Sequence, residues 1–177
     1  MIVALAGRRI DAIGARQRRF PLENVELVSE RLREMLKTKA SGVVCSAACG
    51  ADLIALSAAI TLGLRRRVVL PFERERFRET SVIDRPGDWG PVYDRVLNDV
   101  EASGNLVVIP KTSDEQAYSA ASRAILNEAI SWAAKLKQPV AACLVWDGAS
   151  RGVDDLTEEF GVEARKRGLA VFEQMTI

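Results

Sequence analysis

The 177-residue chain has no histidine. Ser-His-Asp and Cys-His catalysis are therefore excluded within this chain, as is any metal site that needs imidazole. Cysteines number three, Cys45, Cys49 and Cys143, all among apolar or small neighbours. An odd number without a second closely spaced pair gives neither a disulfide framework nor a zinc site, and the expectation is reduced thiols in a cytoplasmic protein with no metal. Long apolar runs are missing too. The longest have about strand length, so no segment is expected to span a bilayer. The N-terminal MIVALAGRRIDA lacks a basic leader, and its apolar run is too short for a signal peptide. Charge of one sign is lacking as well. A net charge of +1 gives no bulk field directed at nucleic acid or membrane. Any catalysis is left to carboxylates, arginine, lysine, tyrosine or backbone dipoles.

What is present is an ordinary globular mixture, 48% hydrophobic and 28% charged, at a length that suits one domain over residues 1–177. Apolar runs of strand length recur at 2–6, 43–45, 68–70, 106–109, 140–146 and 170–172. Most are continuous rather than alternating, as in strands buried on both faces of a parallel sheet. Between them lie helical patterns. Residues 23–37 carry Val25, Val28, Leu32, Met35 and Leu36 at spacings of three and four. Residues 51–62 are nearly all apolar, which predicts a buried helix, and 92–102 and 119–136 are amphipathic. So is 153–167, with Val153, Leu156, Phe160 and Ala164 on one face. The alternation predicts an α/β fold, a Rossmann-like doubly wound sheet of about six mainly parallel strands with helices on both faces. Residues 73–91 show no clear pattern and are long for a loop in such a fold.

Ligands of open α/β sheets bind outside the carboxyl ends of the strands. Four segments converge there: Gly7-Arg8-Arg9, Ser46 to Asp52, Pro71-Phe72 with the loop that follows, and Asp147 to Gly152. In the second, VVCSAACGAD, six small residues join a strand to a helix. They either permit close packing of the junction or admit a phosphate to the free N–H groups of the helix start. In the second case Arg8 would add a bidentate contact. Asp52 is either a cap of that helix or a hydrogen-bond partner for a ligand hydroxyl. The Asp147–Gly152 loop precedes a helix rich in acids, Asp154, Asp155, Glu158 and Glu159, so it suits a rim contact better than an anion site. The arginines of 73–91 alternate with glutamates and read as a salt-bridged surface. Trp89 and Tyr93 pack the core or flank a flat ligand, and Tyr118 and Asn127 head the next helical region without an assigned role.

GVVCSAACGADLIALSAAITLG resembles the strand-loop-helix of the SLOG superfamily, the group of the DNA-processing protein A and LOG families. Ser46, Ala48, Gly50, Asp52, Ala55, Ala59 and Gly63 follow that pattern in order, with Ala47 where glycine is usual. Gly7-Arg8 after the first strand and VVLPF in the third fit as well; the recognisable motifs cover residues 1–72. The resemblance implies a Rossmann-like fold that binds or senses a nucleotide or nucleotide-derived ligand, with no separate cofactor. The alternative is an N-glycosidase or glycosyltransferase of the LOG or deoxyribosyltransferase kind. The hydrolases' Pro-Gly-Gly-x-Gly-Thr-x-x-Glu motif is broken here: VVIPKTSDEQAYSAA lacks its glycines and DGASRGVDDLTEE reorders them. Only Glu158 and Glu159 stand as candidate catalytic acids, and a non-catalytic domain is the favoured expectation. Gly7, Arg8, Ser46, Cys49 and Gly50 would form the phosphate-side floor. Asp52 and Asp147 would be polar partners beside Gly148, and Phe72 an apolar wall. The partner expected is a nucleotide-derived small molecule, with neither nucleic acid nor membrane, and self-association into a homo-oligomer is left open.

Overall fold

The structure is a computed structural model that describes residues 1–110 and 114–177, the side chains at 114 and 115 excepted. Six strands form one sheet: β1 (Ile2–Gly7), β2 (Gly42–Cys45), β3 (Arg65–Leu70), β4 (Leu106–Val108), β5 (Val140–Trp146) and β6 (Ala170–Met175). Their spatial order is β4-β3-β2-β1-β5-β6, and every neighbouring pair is parallel. The chain runs outward from β1 to β4, then crosses to the other side of β1 for β5 and β6. The doubly wound α/β arrangement is therefore realised, with its switch point between β1 and β5.

Each strand divides its side chains between two layers, as a period of two requires. Val3, Leu5, Val43, Cys45, Val68 and Leu70 face one core. It is filled by helices α1 (Val25–Lys39), α2 (Ala51–Thr61), α3 (Arg74–Ser81) and α4 (Trp89–Ala102). Ile2, Ala4, Val44, Val69, Ala142 and Leu144 face the other, covered by α5 (Asp114–Leu136) and α6 (Leu156–Lys166). Burial on both faces explains the unbroken apolar runs.

Three local expectations are corrected. Residues 73–91 are not a featureless loop. They hold α3, whose Phe77 is buried, and the first turn of α4. Several of their charges pair across α3 and α4, Arg74 with Glu101 and Arg78 with Asp94. Trp89 and Tyr93 both join the core. β3 begins at Arg65, before its apolar run: Arg66 pairs with Asp99 and Arg67 with Glu128, so a charged stretch is held in the ladder. Val153 is 91% exposed and lies before α6, which starts at Leu156 under the side-chain cap of Asp155. Residues 111–113 of the altered motif segment lie outside the described residues. Among the described residues no helix is long and apolar enough to cross a membrane.

Candidate functional site

A cavity of about 450 Å³ opens at the carboxyl end of β1. Small-molecule sites usually measure about 300–1,000 Å³. Its floor is Ala6, Gly7 and the turn that follows. Ser46, Ala48 and Asp52 form one wall with Phe77, Ser81 and Arg85; α5 and the start of α6 form the other through Tyr118, Ser122, Leu156 and Thr157.

The small-residue junction serves close packing. A Cβ on Gly7 would meet Ala51 Cβ at 2.4 Å and Val145 O at 2.7 Å. Gly50 has φ 97° and ψ −126°, and a Cβ there would lie 2.8 Å from Arg8 O. The backbone donors expected to receive a phosphate are in part already used. Ala51 N–H donates to Arg8 O at 3.2 Å and Cys49 N–H to Ser81 O at 3.0 Å. Ala48 N–H donates to Asp52 Oδ2 at 3.1 Å. The chain's own carbonyls and a carboxylate thus take donors of the junction; Asp52 sits in the first turn of α2, makes no cap bond to that helix, and also lines the cavity.

Arg8 is likewise committed. It is 4% exposed and donates through Nε to Asp147 Oδ1 at 2.9 Å. Its Nη1 and Nη2 form a fork on Asp155 at 2.6 and 2.8 Å. Asp147 accepts a further bond from Arg19 Nη1 at 2.6 Å. Burial works against the Arg8 charge, but the two carboxylates raise its pKa. Burial also opposes the Asp155 charge, but the Arg8 fork and the N–H groups of Arg151 and Glu158 hold that carboxyl well below its ordinary range. Arg8 and Asp147 therefore tie the β1 and β5 loops together and leave a ligand little to bind.

The remaining expected residues divide. Gly7, Arg8, Ser46 and Asp52 line the cavity, whereas Gly50, Asp147 and Gly148 do not. Cys49 is fully buried in the core. Phe72 stands behind the wall, edge-to-face with Tyr118 at a centroid distance of 5.4 Å, and Phe77 takes the lining position instead. Glu158 and Glu159 line a separate groove of about 310 Å³ between α5 and α6, away from the β1 floor, and Ser150 Oγ donates to Glu158. Arg9, Ser81 and Arg85 lie in segments expected at this end but were given no ligand role, and Thr157 was not foreseen. Arg9 adjoins an expected one, but nothing local in the sequence marks Arg85.

Three cavity-lining residues carry buried polar atoms without a hydrogen-bond partner: Ser46 Oγ, Arg9 Nε and Arg85 Nε. An unsatisfied buried group costs about 1–3 kcal/mol, and native structures contain few of them. Asp52 adds a titrating group. Burial pushes its carboxyl up from 3.8 to about 7, against the opposing pull of Ala48 N–H and Arg9. Between those two values the folded state holds a proton that the unfolded state has released, so stability falls as pH rises through that window and levels off above it. An asparagine side chain at this position would not titrate and could still accept from Ala48 N–H. The urea midpoint of Asp52→Asn should therefore gain on that of the native protein from about pH 4 to about pH 7. Parallel pH profiles would show that Asp52 ionises normally.

No family model and no curated protein sequence matches the chain. Its structure is similar to a solved one. That is the X-ray structure of DNA processing protein A (DprA) from Streptococcus pneumoniae, at 12% identity and a TM-score of 0.45. The likeness covers 98% of this chain and 58% of that one. At this level the account of the site rests on the chain's own geometry.

Proposed function

We propose that the protein binds a nucleotide or nucleotide-derived small molecule in the cavity at the end of β1, without efficient turnover. The observation that carries the reading is one cavity at the switch point of the sheet whose lining joins the side chains of Arg9 and Arg85 to Ser46 and Asp52. A ligand with an anionic group and hydroxyls matches those charged and polar groups. Tyr118, Phe77 and Leu156 give it an apolar surface to lie against.

Thermal-shift measurements against nucleoside monophosphates, cyclic nucleotides, nucleotide sugars and ADP-ribose test this. At least one class should raise the melting temperature, since a ligand at 100 times its Kd adds about 2.7 kcal/mol. Ala15→Trp, at an exposed position that lines this cavity and not the α5–α6 groove, should fold and lose the shift. Absence of any shift, or a shift that survives in Ala15→Trp, counts against the proposal.

Asp52 favours a second reading, an N-glycosidic hydrolase or transferase. A buried carboxyl with a pKa of about 7 suits general acid catalysis at neutral pH. The binding reading predicts no efficient release of free base from AMP, GMP, CMP or UMP. Turnover of about 1 s⁻¹ or more, abolished in Asp52→Asn, would install the enzymatic reading instead.

A further inference from the structure

We propose that Arg9 and Arg85 form the seat for a phosphoryl group at the α3–α4 end of the cavity, with Asp84 as the positioning residue behind them. The inference rests on the ligand reading above and adds which end of the ligand lies where. Arg9 leaves the turn after β1, and Arg85 lies between α3 and α4, yet both reach the same carboxylate. Arg9 Nη2 donates to Asp84 Oδ1, and Arg85 Nε lies 3.4 Å from Asp84 Oδ2. Both arginines line the cavity and Asp84 does not. Their side chains are 29% and 28% exposed, so each guanidinium is held against the protein and still reaches the opening. Both Nε atoms are buried, so contact with a ligand falls to the Nη groups.

The commitment of the charges distinguishes this end from the other. Around Arg8, the guanidiniums of Arg8 and Arg19 are taken by Asp147 and Asp155, and Arg151 Nε stands 3.8 Å from Asp155. Around Asp84, two arginines share one carboxylate, which leaves a positive excess beside the cavity. Asp52, a further carboxyl near Arg9, has its pKa pushed by burial to about 7, so it is largely protonated below neutral pH. The α6 end opens with Asp155, Glu158 and Glu159 and disfavours an anion. Planar guanidiniums with several donors match the oxygens of a phosphoryl group. The apolar part of the ligand is then directed toward Tyr118, Ile125 and Leu156.

Calorimetric titration of the four nucleoside 5′-monophosphates and their unphosphorylated nucleosides, at low salt, separates the two levels of the proposal. The native protein should prefer the best-bound monophosphate to its nucleoside by about tenfold or more, the range of a charged hydrogen bond. Arg85→Gln should bring that ratio close to one while leaving nucleoside affinity within about twofold. Its fold should survive, because its one ion pair here is with its exposed neighbour Asp84. Arg85→Lys should restore part of the preference, since it keeps the charge but loses the planar fork. Asp84→Asn should lower the same ratio without changing nucleoside affinity. A folded Arg85→Gln that keeps the full preference, or a native protein that binds nucleoside and monophosphate equally, overturns the phosphoryl seat and leaves the ligand reading standing. If neither nucleosides nor monophosphates bind, the phosphoryl seat falls, and the ligand reading falls with it when cyclic nucleotides, nucleotide sugars and ADP-ribose also fail to bind.

Discussion

Replacing Arg8 with alanine should destabilise the protein by about 3–5 kcal/mol, the cost of breaking one partner out of a buried ion pair. Arg8 is 4% exposed and holds two carboxylates at once, Asp147 and Asp155, with a further bond from Nη2 to Ala149 O at 2.7 Å. Its loss leaves Asp155, which is 1% exposed and caps α6 through Thr157 N and Glu158 N, with the more distant guanidinium of Arg151 at 3.8 Å. Arg19 would still neutralise part of Asp147. Arg31 is a suitable control: it is half-buried, and its bond, at the surface, is to the carbonyl of Met175. Urea denaturation should show a large drop in midpoint for Arg8→Ala and a change within about 0.5 kcal/mol for Arg31→Ala. The effect on Arg8→Ala should be largest near neutral pH and shrink on acidification. Asp155 has a depressed folded-state pKa, so the stability it contributes is present above its unfolded value and lost as pH falls below it. An Arg8→Ala variant as stable as the native protein would mean that Arg8 is a free ligand contact after all.

Gly50→Ala should cost about 2–6 kcal/mol, combining backbone strain of about 1–3 with overpacking of about 1–3. At φ 97° and ψ −126° the backbone is in a region that glycine enters at low cost and L-residues rarely adopt. Relaxing φ would break the contact between the start of α2 and the β1 turn. Keeping it would press the new Cβ against Arg8 O at 2.8 Å and Ile10 N at 3.0 Å. Gly63→Ala is the comparison. Gly63 also has positive φ, at 66°, but nothing lies within 4 Å of its Cβ position, so only strain applies. Circular dichroism melts should rank native, Gly63→Ala and Gly50→Ala in falling order. Equal losses for the two variants would show that close packing at Gly50 contributes nothing.

The sheet was legible because burial on both faces leaves continuous apolar runs. β1, β2 and β5 were expected to within a residue at each end. Elements carried by charge or by pairing with distant residues were harder to read. Arg65–Arg67 joins β3 because Asp99 and Glu128 lie across from it, and α3 is built from alternating arginine and glutamate with one buried anchor, Phe77. β6 runs on through Glu173 and Gln174, past the short apolar run, because it pairs with β5 along its full length. At the candidate site, Gly7, Arg8, Ser46 and Asp52 are brought to one cavity, as their places after β1 and β2 require. Roles were less accessible. Arg8 and Arg9 are adjacent and identical in type, yet one is consumed by Asp147 and Asp155 while the other faces the cavity beside Asp84. Only the positions of those carboxylates, more than 70 residues away in the chain, make the difference.

The most direct test of the account is a crystal structure of the full chain with a nucleoside monophosphate or nucleotide-derived ligand at saturating concentration. The account predicts the ligand in the β1 cavity, with its phosphoryl oxygens within hydrogen-bond reach of Arg9 and Arg85 and a hydroxyl near Ser46 or Asp52. A ligand seated in the α5–α6 groove beside Glu158 and Glu159, or a β1 cavity that stays empty while the ligand binds elsewhere, would contradict it.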